Sequence, residues 1–172
     1  MVYNLSMDFQ EFFVKQKQAI RARTCQATAL VRPEHMDWAP APGALTIGEM
    51  LRHLWMSEQG VLRAALDGNF AYYEKRIPQG LRAILGAHEL LEAELASMER
   101  VHNETLELVA AFPAERLEED RVLEKFGFRR KVHVMLEGIN EHEIHHRAQL
   151  MTYLRMLGTP VPEAIAGTAG RR

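Results

Sequence analysis

Apolar residues recur every three to four positions along four long segments of the chain, the period of an amphipathic helix. The first segment covers residues 8–31, and Asp8 with Glu11 has the spacing of a helix N-terminal cap. The second begins at Thr46, which forms a capping-box pattern with Glu49, and runs to about residues 67–68. The third covers about residues 88–112, and the fourth about 130–157.

The connections between these segments are rich in breakers or weakly patterned. Pro33, Pro40, Pro42 and Gly43 interrupt the first connection. Residues 69–86 predict a long connection with one short helix, and residues 114–128 predict a second loose connection. No stretch shows the two-residue alternation of a β-strand. The pattern therefore predicts an all-α four-helix bundle with long connections between helices 2 and 3 and helices 3 and 4.

Composition narrows the class of protein. The 172 residues are enough for one domain with a real core, and we expect a single domain over 1–172 with a loosely ordered tail from about residue 163. The net charge of −2 argues against nucleic acid or an anionic membrane surface as partner. Cys25 is the single cysteine, and no secretion signal or membrane span is visible. We expect a cytoplasmic protein.

The densest chemistry lies in the last segment, which contains NEHEIHHRAQLMTYLRMLG. Mapped at about 100° per residue, His146 falls inside the apolar stripe of this helix and His142 at its edge. His145 falls on the solvent side. Two imidazoles one turn apart can share a metal ion, although two partly buried histidines with ordinary hydrogen bonds are about equally expected from spacing alone.

A third ligand has to come from another helix. His53, in EMLRHLWMSEQ of the second segment, is the best candidate. It maps outside the main apolar face of its helix, so we expect it at the mouth of a cleft rather than deeply buried. Glu58 maps onto the apolar face and could orient an imidazole, or simply lie at the rim.

Three neutral imidazoles would suit a divalent ion such as Zn²⁺ or Ni²⁺ and would leave an open position for water or substrate. His142, Glu143 and His146 also spell H-E-x-x-H, the pattern of zinc proteases. That alternative is weaker, because no histidine follows His146 and no edge strand is predicted. Glu143 could instead pair with Arg147 at i+4.

The segment HEIHHRAQLMTYLRMLG closely resembles the last helix of the DinB-like (DNA-damage-inducible) superfamily, whose usual form is H-x-x-x-H-R-G-Q-L followed by Y-L-R-x-L-G. DWAPAPGALTIGEMLRHLWMSE resembles the entry to the second helix of that family. The usual glycine after the arginine is Ala148 here. The resemblance implies a four-helix bundle with a metal site at one end, held by His53, His142 and His146, in a protein that is often dimeric.

The resemblance also implies a class of activity. Characterised relatives include transferases and isomerases that use low-molecular-weight thiols, so we expect a metal-dependent transferase or hydrolase of a small molecule, with a thiol as a conceivable cosubstrate. A non-catalytic metal- or ligand-binding protein of a stress response is the alternative. No catalytic residue can be assigned from the sequence.

Several further residues could line a site, although a structural role is the default for each. They are Trp38, Trp55, Tyr72, Tyr73, Lys75, Arg76, Arg147, Arg155 and Cys25.

Overall fold

The computed structural model describes residues 8–162, which contain six α-helices and one β-hairpin. In chain order the elements are α1 (Phe9–Thr28), α2 (Ile47–Asp67), α3 (Ala71–Gln79), α4 (Leu81–Leu85), α5 (Leu91–Ala110), β1 (Asp120–Leu123), β2 (Phe128–Lys131) and α6 (Val132–Met156). The long helices α1, α2, α5 and α6 form the predicted four-helix bundle. Both α1 and α2 pack against α5 and α6. The expected loose order from residue 163 concerns residues outside the described ones.

The predicted helix starts are confirmed at the level of hydrogen bonds. The Asp8 carboxylate accepts from the backbone N–H of Glu11 at 2.7 Å. Thr46 and Glu49 form a reciprocal capping box, with the Thr46 N–H donating to Glu49 at 2.8 Å and the Glu49 N–H donating to Thr46 at 3.1 Å. Helix α2 ends at Gly68, whose φ of 69° is accessible to glycine at little steric cost.

The connection between α2 and α5 contains two helices, α3 and α4, where the sequence predicted one. Gly80 divides them, with a φ of 81°. Leu85 of α4 is buried and α3 packs against α2, so this connection covers one side of the bundle.

The hairpin β1–β2 was not predicted, since we found no β alternation. Its strands are four residues long and pair antiparallel, with Asp120 opposite Lys131. Along β2 the side chains are exposed or half-buried without a two-residue period, so there was no alternation to detect. Arg121 anchors the hairpin, because its buried guanidinium donates to the Ala65 carbonyl near the end of α2 at 2.7 Å.

The core consists of two apolar clusters with polar groups between them. Along α6, residues 132–139 contribute to one cluster and residues 150–154 to the other. Between them the buried residues of α6 include Asn140, Glu143, His146 and Arg147. The candidate site therefore lies midway along the bundle, whereas the resemblance implied a site at one end. Among residues 8–162, no helix combines the length and apolarity that crossing a bilayer requires.

Candidate metal centre

The structure brings His53 of α2 together with His142 and His146 of α6. One ring nitrogen from each residue lies within 4.8 Å of the other two. The Nε2 atoms of His53 and His142 are 2.9 Å apart, and the three pairs of ring centroids are separated by 4.4–4.8 Å. Two nitrogens bound at about 2.0–2.1 Å to one zinc ion in tetrahedral geometry are about 3.3 Å apart, so the His53–His142 pair has a spacing suited to a metal ion, with the His146 nitrogen nearby.

Burial of the cluster differs from the expectation at one residue. His146 is buried, His142 is half-buried and His145 is exposed, in agreement with the helical mapping. His53 was expected at the mouth of a cleft, but only 3% of its surface is exposed. The mapping considered the main apolar face of α2 alone, whereas α3 packs against α2 and the two α6 imidazoles pack on the His53 ring.

The protonation states suit a ligand role. Burial lowers the pKa of His53 to about 3, with the neighbouring His146 and Arg76 acting in the same direction. Burial and the positive potential of His146 and His53 likewise lower the pKa of His142 to about 3. The pKa of His146 is also below its usual value, chiefly because of burial. All three rings are therefore neutral at pH 7 and can offer a lone pair.

Hydrogen bonds orient two of the imidazoles. The Nδ1 of His146 donates to the Gln149 side-chain carbonyl at 2.7 Å, which leaves its Nε2 with a lone pair. The Nδ1 of His53 lies 3.0 Å from the Ser57 hydroxyl, and this hydroxyl lies 2.7 Å from the hydroxyl of Tyr72. Partners of this kind fix the orientation of metal-binding histidines. Sequence reasoning missed Ser57, although its position one turn after His53 was a usable signal.

Glu58 does not orient an imidazole, contrary to one expectation. Its carboxylate is buried and lies 2.8 Å from the Lys17 ammonium and 2.7 Å from the Arg21 guanidinium. Glu143 joins the same group, at 2.6 Å from Lys17 and 3.2 Å from Arg21. These four residues, Lys17, Arg21, Glu58 and Glu143, form a buried charge cluster between α1, α2 and α6.

The zinc-protease alternative requires Glu143 to act as a general base, and its contacts do not support that role. Burial raises the pKa of Glu143, but the charges of Lys17 and Arg21 outweigh it and hold the pKa below its usual value. The Glu143 carboxylate accepts a hydrogen bond from the Lys17 ammonium, so this oxygen is occupied by a cation and is not free to deprotonate a water molecule. Glu143 also pairs with α1 rather than with Arg147, whose guanidinium donates to the Ile20 carbonyl at 3.2 Å.

A cavity of about 340 Å³, the first cavity, adjoins the imidazole cluster at His142. The predicted connection residues Tyr72, Tyr73 and Arg76 line it. So do Phe128 and Arg130 of β2, which the sequence did not point to because the hairpin itself was missed. Ser57 and Glu58 complete the side that faces α2. The site is thus open to a molecule with an apolar or aromatic part.

The remaining residues singled out from the sequence lie elsewhere. Trp38 packs edge-on against Tyr153, and Trp55 donates to the Glu94 carboxylate at 2.7 Å, so both have structural partners. Lys75 and Arg155 are exposed. Cys25 is an exposed free thiol on α1.

The sequence and the fold of the chain have matches among known proteins. The family model of the DinB superfamily matches residues 16–150, which include all three imidazoles and the charge cluster. The chain therefore belongs to the DinB superfamily, as the two sequence blocks indicated.

Similar proteins agree with this assignment. The chain is 24% identical over 131 residues to the uncharacterized protein YjoA of Bacillus subtilis, covering 74% of this chain and 77% of YjoA. The crystal structure of that DinB-like protein superposes with a TM-score of 0.68 at 20% identity, covering 87% of this chain and 94% of the other. The crystal structure of a DinB-like protein from Bacillus cereus superposes with a TM-score of 0.65 at 19% identity, covering 87% of this chain and 93% of the other.

YfiT from Bacillus subtilis has the same fold, with a TM-score of 0.67 at 14% identity over 93% of this chain and 94% of YfiT. YfiT is described as a probable metal-dependent hydrolase with an unusual four-helix bundle topology. At these identities the likeness shows the fold alone.

Proposed function

We propose that this protein is a metal-dependent enzyme acting on a small molecule, as a transferase or a hydrolase. In this proposal His53, His142 and His146 hold one divalent ion, Zn²⁺ or Ni²⁺, and the first cavity receives the substrate. The convergence of three neutral imidazoles beside an accessible cavity carries the proposal. The description of YfiT as a probable metal-dependent hydrolase supports it.

A divalent ion held there would lower the pKa of a bound water or thiol and so provide a nucleophile at neutral pH. The residues of the chain would supply orientation and proton transfer. Ser57 and Tyr72 would keep the His53 ring in position through the hydrogen-bonded chain of Nδ1, Oγ and OH. Since Tyr72 also lines the first cavity, we propose that its hydroxyl exchanges a proton with a substrate there.

The walls of the first cavity favour a substrate with an apolar part and a polar or anionic group. Tyr73 and Phe128 supply aromatic surface, with ring centroids 5.5 Å apart. Arg76 and Arg130 supply guanidinium groups that could bind a carboxylate or a phosphate. A low-molecular-weight thiol bearing carboxylates would satisfy both requirements, and we include it as the proposed cosubstrate.

The metal site is tested by elemental analysis of protein purified without a histidine tag. We expect close to one equivalent of a divalent metal in the wild type and a sharp loss in His146→Ala, because two imidazoles do not close the site. Helix content should stay near that of the wild type. Equal metal content in wild type and His146→Ala would refute the site.

His145→Ala is the matched control, because His145 is the sequence neighbour of His146 but is exposed. We expect its metal content to equal that of the wild type. Loss of metal in His145→Ala would mean that the wrong histidine had been assigned.

A panel of thiol-transfer and hydrolysis assays on the metal-loaded protein distinguishes an enzyme from a protein that only binds metal. The proposal expects a turnover that disappears in His146→Ala and in protein stripped with a chelator. A protein that binds metal but turns over none of the panel would favour the alternative, a non-catalytic metal- or ligand-binding protein.

A further inference from the structure

A second cavity of about 420 Å³ opens between α1 and α5, apart from the metal centre. Its apolar wall is formed mainly by Leu95, Met98 and Ala29, and its rim carries Cys25, Glu99 and Asn103. Its residues come from α1, its C-terminal cap and α5, whereas the first cavity is lined by α2, α3, β2 and α6. The two cavities share no lining residue.

Two buried polar side chains in the wall of the second cavity have unpartnered nitrogens. Arg21 is 6% exposed, and its Nε and Nη1 have no hydrogen-bond partner among the described residues. His102 is 8% exposed, and its Nδ1 also has none within residues 8–162. A buried polar group without a partner costs about 1–3 kcal/mol, so the two Arg21 nitrogens call for an acceptor that the protein itself does not supply. The Nδ1 of His102 calls for an acceptor or a donor, according to the tautomer of its ring.

The charges around the second cavity favour an uncharged acceptor. The guanidinium of Arg21 is already balanced, since the charge cluster contains two cations, Lys17 and Arg21, and two anions, Glu58 and Glu143. Burial and the charges of Arg21 and Lys17 lower the pKa of His102 to about 4, so that its ring is neutral at pH 7. Glu99 at the rim adds a negative charge.

From these observations we infer that the second cavity binds an uncharged small molecule that has an apolar, preferably aromatic, body and a carbonyl group. The carbonyl oxygen accepts from Arg21 Nη1, and the body packs on Leu95 and Met98. A carboxylate is disfavoured, because it would bring a net negative charge next to Glu58, Glu143 and Glu99 without a free cation to balance it.

The ligand would contact a residue that also belongs to the interior of the bundle. Arg21 Nη2 donates to Glu58, and Glu58 lines the first cavity. Arg21 in the wall of the second cavity is therefore in direct contact with a residue in the wall of the first cavity. His102 is the one imidazole that lines the second cavity.

The test uses three molecules that share a benzyl group: phenylacetamide, phenylacetate and ethylbenzene. Binding is followed through the ¹³C-methyl resonance of Met98, which lies in the wall, with Met56 as an internal reference outside this cavity. We expect phenylacetamide to shift the Met98 resonance saturably and to bind at least tenfold more tightly than either phenylacetate or ethylbenzene. Met56 should not respond.

Three variants locate the site. Ala29→Phe fills the cavity from an exposed position at the C-terminal cap of α1 and should abolish the Met98 response. Ala22→Phe, exposed on α1 but outside the cavity, should leave the response unchanged. Arg21→Lys keeps the charge balance but removes Nη1, and it should weaken binding about tenfold. If Arg21→Lys fails to fold, the comparison of Ala29→Phe with Ala22→Phe still shows whether the ligand binds in the second cavity.

Other outcomes would overturn the inference. Equal affinity for the three molecules would remove the role of Arg21, tighter binding of phenylacetate would make this an anion site, and no saturable shift up to the solubility limit would exclude the site. The same titration in His146→Ala should match the wild type, so failure of the metal centre and failure of the second cavity are distinguishable.

Discussion

At the scale of single residues, Ser57 determines how the His53 ring is presented. Its hydroxyl lies one helical turn from His53 and contacts both the imidazole Nδ1 and the Tyr72 hydroxyl. When Nδ1 donates to the Ser57 hydroxyl, the lone pair is on Nε2, the atom that lies closest to His142. The hydroxyl pair therefore connects the tautomer of a proposed ligand to a side chain in the wall of the first cavity.

Ser57→Ala should lower metal affinity by about 10–100-fold, the usual range for loss of a hydrogen bond that orients a metal-binding histidine. Tyr72→Phe should have a smaller effect on affinity but should alter the pH profile of any activity, because the hydroxyl at the cavity is removed. Competition with a metal-sensitive dye measures the affinity. Tyr73→Phe, in the same cavity but outside this hydrogen-bonded chain, is the control, and an equal effect there would contradict the assignment.

Lys17 has a different importance, since it stabilises the fold. Its ammonium is completely buried and contacts both Glu58 and Glu143. Lys17→Met should lower the free energy of unfolding by about 3–5 kcal/mol, because two buried carboxylates lose a shared partner. Urea denaturation measures this change.

Lys15→Met is the comparison for Lys17→Met, because Lys15 lies on the same helix in an exposed pair with Glu11. We expect a change below about 1 kcal/mol there. Similar losses in both variants would mean that the buried cluster contributes no more than a surface ion pair.

At the scale of elements, the approach of α3 to α2 depends on a missing side chain. A Cβ at Gly60 would lie 2.4 Å from Cγ of the Tyr72 ring, so only glycine lets this ring reach Ser57. Helix α3 thereby places Tyr72, Tyr73 and Arg76 along the first cavity. The contact explains why a weakly patterned connection becomes part of the site.

Gly60→Ala should displace the Tyr72 ring and weaken metal binding, although alanine favours the helix. Gly138→Ala is the matched control, since it lies within α6 and its added methyl would meet nothing within 4 Å. There we expect stabilisation by about 0.5–1 kcal/mol and unchanged metal affinity. Thermal unfolding and dye competition on both variants measure the contrast, and a stabilised Gly60→Ala with full affinity would contradict this account.

The sequence predicted the long helices well and their connections less well, for a physical reason. Helices α1, α2, α5 and α6 carry apolar stripes and caps that act locally, so Asp8, Thr46 and Gly68 could be read directly. The hairpin is held by Arg121, which reaches carbonyls 55 and 56 positions earlier in the chain. Contacts at that separation leave no local pattern, and Phe128 and Arg130 were missed with the hairpin.

At the scale of the whole molecule, buried neutral histidines make stability depend on pH. The folded pKa is about 3 for His53 and His142 and about 4 for His102, against an ordinary value of 6.5. Between these values the unfolded chain binds more protons than the folded one, so protonation favours unfolding. Stability of the metal-free protein should therefore fall as the pH drops below about 6.5.

The slope should approach about 1.4 kcal/mol per pH unit for each extra proton taken up on unfolding. Urea denaturation of chelator-treated protein between pH 7 and pH 5 measures it. His102→Gln should reduce the slope by about one proton, and His145→Gln, at an exposed position, should not. A stability that is constant over this range would contradict the buried neutral state.

The candidate site could be inferred only in part from the sequence. The three imidazoles followed from helical spacing, from the need for a third ligand and from the family resemblance. Neither alternative for Glu58, an imidazole partner or a residue at the rim, agrees with its burial against Lys17 and Arg21. Helical mapping gives the direction of a side chain on its own helix but not its partner. Lys17 and Arg21 lie on α1, which carries none of the three imidazoles, and they form the ion pairs with the carboxylates of Glu58 and Glu143.

The charge cluster has a consequence for protein engineering. Transplanting the segments of α2 and α6 that hold the three histidines onto another scaffold would also transfer Glu58 and Glu143. These carboxylates would be buried without partners unless a further helix supplied an ammonium and a guanidinium at the same depth. The smallest transferable unit is therefore the three helices α1, α2 and α6. Helix α1 would neutralise the two carboxylates without supplying a metal ligand.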